Sequence, residues 1–324
     1  MQIIDANGVA AALSYPALVD TLATAFRLGA HAPLRHHHTI ALAGRPDATL
    51  LLMPAWTASA AGAATAGAYM GVKLVTVFPD NGQRSLPAVQ GTYLLASAET
   101  GVPLALIDGP SLTAWRTAAA SALASRYLSR PDATRMVMVG AGALAPYLIR
   151  AHASVRRIRE VSIWNRTADH ATALATRLQA AAPGLQITAT TDLEAAVRAA
   201  DLVSCATISS TPLIHGGWLK PGSHLDLVGA FRPDMREADD ACVTRAQIWV
   251  DTRTGGLHEA GDIVMPLAAG VIREDDVRGD LFDLARGVTP SRDDADITLF
   301  KSVGAAIEDL AAAVAVYEAA AHTS

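Results

Sequence analysis

The spacing of apolar positions changes several times along the chain. Near the N-terminus, Leu18, Leu22 and Phe26 recur at helical spacing behind a Ser-Tyr-Pro start, which predicts an amphipathic helix. From about residue 34 to residue 107, short apolar runs alternate with Gly, Pro and Asn turns, which indicates strands joined by turns. The segment "SLTAWRTAAASALASRYLS" is then predicted to be a helix.

After residue 131 the pattern becomes strand alternating with helix over roughly 120 residues. Strands are predicted at "RMVMVG", "EVSIWN", "LQITAT", "DLVSCAT", "HLDLVGA" and "AQIWVD", with helical segments between the first four. This alternation predicts an α/β fold of the Rossmann type, a doubly wound parallel sheet. Residues 57 to 68, almost all Ala, Gly, Ser and Thr, are interpreted as a flexible connection.

The last segment places apolar side chains on one stripe of a helix. We expect this amphipathic helix to pack on the first domain or on a partner subunit. The stripe consists of Val303, Ile307, Leu310, Val314 and Tyr317.

Composition narrows the class of protein. The 324 residues favour two domains, and 51% hydrophobic with 18% charged residues is typical of a globular chain. A formal charge of −5 gives no basic field for nucleic acid. No signal peptide and no membrane span are expected, and the two distant cysteines suit a reducing cytoplasm.

A glycine motif follows the first strand of the parallel sheet. In "VMVGAGALAPY", Gly140 allows a tight turn and Gly142 lets the backbone approach a pyrophosphate. Ala143 and Leu144 complete the loop, and Ala145 opens the helix. These residues predict a dinucleotide site.

The end of the next strand bears on which dinucleotide binds. An NAD site commonly has Asp or Glu at this point to hold the ribose 2′-hydroxyl. Here the strand ends in Asn165, Arg166 and Thr167, and a guanidinium suits a 2′-phosphate. NADP(H) is therefore predicted over NAD(H), which remains possible.

Another strand, "HLDLVGA", ends in Val228, Gly229 and Ala230, which we expect to face the cofactor. The next residue, at the strand mouth, is Phe231, which is neither an acid nor a base. Thr207, after "DLVSCAT", is interpreted either as lining the cofactor groove or as a plain strand end.

Ordered blocks over nearly the whole chain resemble the ornithine cyclodeaminase/mu-crystallin family. The blocks are "KLVTVFP", "LPAVQGTYLL", "ETGVPLALIDG", "LTAWRTAAASALA", "VGAGALA", "WNRT", "VGAFRPDMRE", "EAGDIVMPL" and "TLFKSVGAAIEDLAAA". The resemblance implies a split α+β domain, 1–130 with 300–324, which binds substrate and forms a homodimer. The dinucleotide domain, 131–299, is inserted in it.

The resemblance also implies roles for single residues. Arg35 and Arg116 match the arginines that hold a substrate carboxylate, and Lys73 matches the active-site lysine. Two guanidiniums can clamp a carboxylate, and a partly buried lysine beside them has a lowered pKa. Ser302, Val303 and Gly304 are expected near the nicotinamide by the same resemblance.

Two positions depart from the cyclodeaminases. Phe231 replaces an aspartate, and Leu51, two residues before Met53, replaces a glutamate. These three side chains are predicted to line the substrate pocket. Mu-crystallin also lacks the aspartate and shares "WNRT", which implies NAD(P)H-dependent reduction of a small cyclic imine with a carboxylate. Such a substrate is already electrophilic and needs no strong base.

Two alternatives to an imine reductase remain open. The first is an ornithine or lysine cyclodeaminase, or an enzyme like alanine dehydrogenase. The second is a protein that binds NADPH and a small ligand without turnover.

Other polar residues have structural interpretations. The triplet His36 to His38 cannot converge on one ion from a strand, so no metal site is predicted. Glu237 is expected to brace the loop after "HLDLVGA" and the helix that follows. Asp262 is interpreted as an N-cap or a loop-bracing residue, although Asp262 and Glu259 are also candidate acids. Cys205 is expected to be buried.

Overall fold

The computed structural model describes residues 1–57, 68–290 and 293–321. Contacts divide the chain into two units, Met1–Arg116 with the residues from Ala305 onward, and Thr117–Gly304. The predicted domain limits, 130/131 and 299/300, stay a prediction. The predicted flexible connection falls mainly on residues 58–67, outside the described residues.

The first unit contains a seven-stranded mixed sheet in the order β1-β7-β6-β5-β4-β2, with β3 also paired to β4. Its strands are β1 (Gln2–Ile4), β2 (Ala30–His31), β3 (His36–Ile40), β4 (Ala48–Thr57), β5 (Tyr69–Val77), β6 (Val89–Ser97) and β7 (Pro103–Asp108). Its helices are α1 (Ala6–Ala12), α2 (Tyr15–Leu28) and the first part of α3 (Gly109–Leu128).

The second unit contains eight parallel strands in the order β10-β9-β8-β11-β12-β15-β13-β14. They are β8 (Arg135–Val139), β9 (Glu160–Trp164), β10 (Gln186–Ala189), β11 (Leu202–Cys205), β12 (His224–Leu227), β13 (Ala246–Val250), β14 (Val277–Asp280) and β15 (Ile297–Lys301). The helices are α4 (Ala145–Val155), α5 (Ala168–Ala181), α6 (Leu193–Ala199), α7 (Asp240–Arg245), α8 (Arg253–His258), α9 (Gly261–Ala268) and α10 (Leu281–Ala285). The predicted doubly wound parallel sheet is confirmed.

The last helix, α11 (Ala306–Ala321), returns to the first unit and packs on β4, β5 and β6. The prediction of a helix here is confirmed, but the single stripe is wrong in two respects. Val303 precedes the helix, and burial extends around the helix to Glu308 and Asp309. Small alanines let α11 approach the sheet and α2 closely, so more than one face is covered.

Among the described residues, no single helix is long and apolar enough to cross a membrane. The helices α1 and α2 reach that length and apolarity only when they are counted together, across a bend of 85°.

Candidate active site

The predicted cofactor residues follow the carboxyl ends of five neighbouring parallel strands. The order across the sheet is β9, β8, β11, β12 and β15. β8 lies between β9, the next strand along the chain, and β11, so the strand order reverses direction on the two sides of β8. This is the topological switch point at which open α/β sheets bind ligands.

The glycine loop after β8 has room for a dinucleotide. Gly140 adopts φ +108°, and a Cβ there would lie 2.7 Å from the carbonyl oxygen of Ala206. A Cβ on Gly142 would meet nothing within 4 Å, so the backbone is open on that side. The N-terminus of the 11-residue helix α4 follows directly, and its amides favour an anion. These residues fit a pyrophosphate.

The strand end after β9 both supports the glycine loop and carries the predicted specificity residue. The Asn165 side chain accepts a hydrogen bond from the Ala141 amide at 3.1 Å and donates to the Thr167 carbonyl at 3.0 Å. Asn165 therefore fixes the loop through its side chain. Arg166 and Thr167 are exposed, so the guanidinium is accessible to a ligand.

A buried carboxylate fixes the loops after β11 and β12. Glu237 Oε1 accepts hydrogen bonds from the Thr207 amide at 2.7 Å and from its hydroxyl at 2.8 Å. A Cβ on Gly229 would lie 2.2 Å from the Thr207 carbonyl oxygen and 2.4 Å from Glu237 Oε1. Glycine is therefore required at position 229 because the two loops touch.

A second buried pair completes this support. Lys301 Nζ lies 3.2 Å from Asp262 Oδ2 and donates to the Gly229 carbonyl. Asp262 Oδ1 accepts from the amides of Glu237 and Ala238 at 2.8 and 3.0 Å. The predicted bracing roles of Glu237 and Asp262 are confirmed. Burial, with Asp262 nearby, raises the pKa of Glu237 to about 7, although Lys301 opposes the shift.

The loops after β12 and β15 complete the edge. The amides of Val303 and Gly304 donate to Asp251 Oδ2, both at 2.7 Å. Ser302 is 2% exposed, and Val228 is also buried. Ala230 adopts φ +47°, a left-handed backbone rare for a residue with a Cβ. The side chain of Phe231, beside it, is 49% exposed.

In the first unit, the candidate catalytic lysine lies in a row across three strands. Met53 on β4 pairs with Lys73 on β5, which pairs with Tyr93 on β6. Side chains opposite one another in such a ladder share a face. The hydroxyl of Tyr93, fully buried, has no hydrogen-bond partner among the described residues.

Two adjacent carboxylates of α11 meet the candidate cations. Lys73 Nζ lies 2.9 Å from Asp309 Oδ1 and 2.8 Å from Oδ2. Arg116 Nε also donates to Asp309 Oδ1, at 2.9 Å, and its Nη1 donates to Glu308 Oε2 at 2.7 Å. All four residues are buried. We call these four residues the ion cluster.

The environment of the ion cluster shifts its proton equilibria. Burial, with Arg116 nearby, lowers the pKa of Lys73 from 10.5 to about 8, although Asp309 opposes the shift. Burial alone would raise the pKa of Asp309, but Arg116 and Lys73 overcome it and lower that pKa. At neutral pH Lys73 is therefore mostly protonated and Asp309 ionised.

Arg35 and Leu51, two further predicted site residues, belong to the first unit. Arg35 is half-buried before β3, close enough for its charge to lower the pKa of Lys73. Leu51, half-buried on β4, pairs with His37 and Val75. The structure thus brings both Arg35 and Arg116 within electrostatic range of Lys73. Phe231 belongs to the other unit.

Glu308 and Asp309 were missed by the sequence interpretation. The signal for them was two adjacent acids within the Ala-rich run "GAAIEDLAAA", where neither acid fits an apolar stripe. Both occupy the first turn of α11, where the helix dipole favours negative charge. Among the described residues, no group of three or more His, Cys, Asp or Glu side chains is arranged to hold a metal ion.

The eight-stranded sheet and its glycine loop define a Rossmann-type protein with a second α+β unit. The sequence profile of the ornithine cyclodeaminase/mu-crystallin family matches residues 2–324, and the chain belongs to this family.

Three similar proteins illustrate the range of relatives. A Δ1-pyrroline-2-carboxylate reductase of Colwellia psychrerythraea is 38% identical over 98% of this chain and 99% of its own. The ketimine reductase mu-crystallin of Rattus norvegicus is 34% identical over 82% of this chain and 79% of its own. The structure of Thermococcus litoralis Δ1-pyrroline-2-carboxylate reductase in complex with NADH and L-proline has a TM-score of 0.91 at 31% identity, covering 100% of this chain and 98% of that one.

Proposed function

We propose that the protein is an NAD(P)H-dependent reductase of small cyclic imino acids, of the Δ1-pyrroline-2-carboxylate or Δ1-piperideine-2-carboxylate type. The observation that carries the proposal is the ion cluster, in which Lys73 and Arg116 both form ion pairs with Asp309. The reductase names of the relatives support the same reaction.

The cations of the site suit a substrate carboxylate. Arg35 and Arg116 bring two guanidinium groups close enough to Lys73 for their charges to lower its pKa. Guanidinium groups bind carboxylates with defined geometry, through parallel N–H donors. We therefore assign the substrate carboxylate to these two arginines.

The same cluster is poor at removing a proton. Asp309 has a lowered pKa, which makes it a weak base. The two positions where cyclodeaminases are expected to have carboxylates hold Leu51 and Phe231. Oxidation of an amine requires deprotonation of that amine, whereas a preformed imine requires only a hydride and a proton. The site therefore favours imine reduction.

The residues of the chain handle the carboxylate and the proton. Arg35 and Arg116 hold the carboxylate and thereby orient C2 of the imine. A reduced nicotinamide dinucleotide, when bound, supplies the hydride to C2. The π electron pair of the C=N bond moves to nitrogen, which takes a proton from Lys73 Nζ. Lys73 is then reprotonated from solvent, and the product is the cyclic secondary amine.

A panel of substrates tests this function through the loss of NADPH absorbance. We expect turnover of Δ1-pyrroline-2-carboxylate and Δ1-piperideine-2-carboxylate. Δ1-Pyrroline, which lacks the carboxylate, is the matched control and should lose at least about 100-fold in kcat/KM. Conversion of ornithine to proline with ammonia release would overturn the proposal. So would tight NADPH binding without turnover of any imine, since that result identifies a binding protein.

We propose further that NADPH is preferred over NADH, because the exposed Arg166 replaces the usual acid at the end of β9. Arg166→Ala should weaken NADPH binding by about 10- to 100-fold and NADH binding by less than about 3-fold. Isothermal titration of both dinucleotides measures the ratio. The exposed Arg177 on α5 is the control, since Arg177→Ala should change neither affinity. Equal losses for both dinucleotides in Arg166→Ala would contradict the preference.

We also propose a homodimer formed through the sheet face opposite Lys73. Trp56, Met70 and Leu74 are 37–40% exposed there, an apolar set typical of an interface. Light scattering should give twice 33.7 kDa, and Leu74→Glu should shift the protein toward monomer. Val288→Glu, at a comparably exposed apolar residue of the other unit, is the control and should remain dimeric. A monomeric wild type contradicts the proposal.

A further inference from the structure

We propose that Asp309 is a positioning residue of the reduction, which holds the Lys73 ammonium charged and fixes it beside Arg116. This inference rests on the proposed function. It assigns a role to the C-terminal helix, which carries neither the glycine motif nor a residue predicted to be catalytic.

The carboxylate of Asp309 contacts both Lys73 and Arg116. A single oxygen, Asp309 Oδ1, lies 2.9 Å from both Lys73 Nζ and Arg116 Nε. The second oxygen, Oδ2, lies 2.8 Å from Lys73 Nζ. The carboxylate of Asp309 therefore fixes the distance between Lys73, the proposed proton donor, and Arg116, which is proposed to bind the substrate carboxylate. Lys73 and Arg116 are 236 and 193 residues from Asp309 along the chain, so only tertiary packing creates this arrangement.

The adjacent acids Glu308 and Asp309 make different contacts with the two cations. Glu308 pairs with Arg116 through Nη1, 2.7 Å away, whereas the carboxylate paired with Lys73 is that of Asp309. Asp309 is the carboxylate in contact with both cations. Glu308 and Asp309 are both buried in the first turn of α11, but the one that contacts Lys73, the proposed proton donor, is Asp309. The pair provides an internal control.

The charges that face Lys73 determine the effect of Asp309. Arg116 on α3 and Arg35 before β3 disfavour the ammonium form, whereas Asp309 favours it. The phenol of Tyr93 on β6 is neutral, because burial, with Asp309 nearby, raises its pKa well above the ordinary range. Without Asp309, burial and two guanidiniums act on Lys73 unopposed. Lys73 then loses its proton at a lower pH.

The proposal concerns one proton transfer. In the reduction, the imine nitrogen gains a proton as the N–H bond of Lys73 breaks, and Lys73 becomes a neutral amine. Asp309 stays ionised throughout and takes no proton. Its contribution is that Lys73 is charged and correctly placed when the reaction begins.

The experiment is the pH dependence of kcat/KM for Δ1-pyrroline-2-carboxylate with NADPH. Wild type should lose activity as the pH rises through about 8, where Lys73 deprotonates. In Asp309→Asn this loss should move to lower pH by at least about one unit. The substrate nitrogen titrates identically with every variant, so a difference between variants belongs to the protein.

Two further variants separate positioning from a structural role. Glu308→Gln should raise KM, because Glu308 helps to hold Arg116 in place. The loss of activity at high pH, which we call the basic limb, should stay at its wild-type position. Asp309→Glu keeps the charge and displaces it, so kcat should fall while the limb stays within about half a unit of wild type. A structural role predicts lower activity at all pH values with no movement of the limb, and that result in Asp309→Asn would overturn the proposal. An equal shift in Glu308→Gln would overturn it as well.

The outcome remains decisive if Asp309→Asn does not fold. A basic limb lower by a unit or more in Asp309→Glu, or no basic limb in wild type, contradicts the proposal. NADPH affinity should be unchanged in the folded variants, since neither Glu308 nor Asp309 belongs to the glycine-loop site. Failure of the proposed function has another signature, because wild type would then reduce no cyclic imine at any pH.

Discussion

Replacing Arg116 with alanine is expected to produce the largest combined loss of stability and activity. Arg116 is 5% exposed and neutralises two carboxylates that are fully buried, Glu308 and Asp309. Removing one partner of a buried ion pair leaves an uncompensated charge, which costs about 3–5 kcal/mol. Lys73 still pairs with Asp309, so the loss concentrates on Glu308. Urea denaturation should show a decrease of this size in the free energy of unfolding.

The activity of Arg116→Ala should fall together with its stability. Under the proposed function, removing the guanidinium deprives the substrate carboxylate of one of its two arginine ligands, and C2 is no longer fixed for hydride transfer. We expect kcat/KM for Δ1-pyrroline-2-carboxylate to fall by about 10³-fold. Arg116→Lys is the matched variant, since it keeps the charge and removes the planar fork. It should recover most of the stability while kcat/KM stays at least about 10-fold below wild type. A stable, fully active Arg116→Ala protein would disprove both roles.

Alanine at the two glycines of the loop after β8 is expected to give opposite outcomes. Gly140→Ala should destabilise the protein by about 2–4 kcal/mol, because its Cβ meets the Ala206 carbonyl oxygen at 2.7 Å in a left-handed backbone. Gly142→Ala should change stability by less than about 1 kcal/mol, since its Cβ meets nothing within 4 Å. That open space is the predicted approach to the pyrophosphate, so NADPH affinity should fall by about 10- to 100-fold.

Two measurements on each variant check this contrast. Urea denaturation without dinucleotide gives the stability, and titration with NADPH gives the dissociation constant. Gly184→Ala is the control, because its Cβ also meets nothing within 4 Å and it precedes the amino end of β10, whereas the candidate cofactor residues follow the carboxyl ends of the strands. Both quantities should be unchanged there. Wild-type affinity in Gly142→Ala would place the pyrophosphate elsewhere.

Much of the cofactor half could be predicted because its signals are local. A strand, a glycine loop and a helix follow one another within about 20 residues, and parallel strands bring their carboxyl ends to one edge. The residues at 140–145, 165–167, 207, 228–230 and 302–304 therefore meet at that edge once the strand order is known. The family resemblance, which extends over nearly the whole chain, is confirmed.

The substrate half was predicted less completely, for a physical reason. The sequence by itself determined the alternation of strands and helices, the glycine loop and Arg166. The family resemblance added the three cations, Arg35, Lys73 and Arg116. It also showed that Leu51 and Phe231 stand where the cyclodeaminases have carboxylates. The sequence could not assign partners to buried charges, because apolar periodicity reports only that a helix face is covered, not what covers it. The single-stripe interpretation of α11 therefore left Glu308 and Asp309 unexplained.

Only the tertiary structure decided those partners. Packing α11 onto β4, β5 and β6 carries two acids to Lys73 and Arg116, which are about 190 to 240 residues away in the chain. Charges excluded from water must be neutralised locally, and the neutralising group is chosen by the fold and not by sequence neighbours. The tertiary structure therefore decided that Lys73 and Arg116 share the carboxylate of Asp309, which no local sequence pattern indicates.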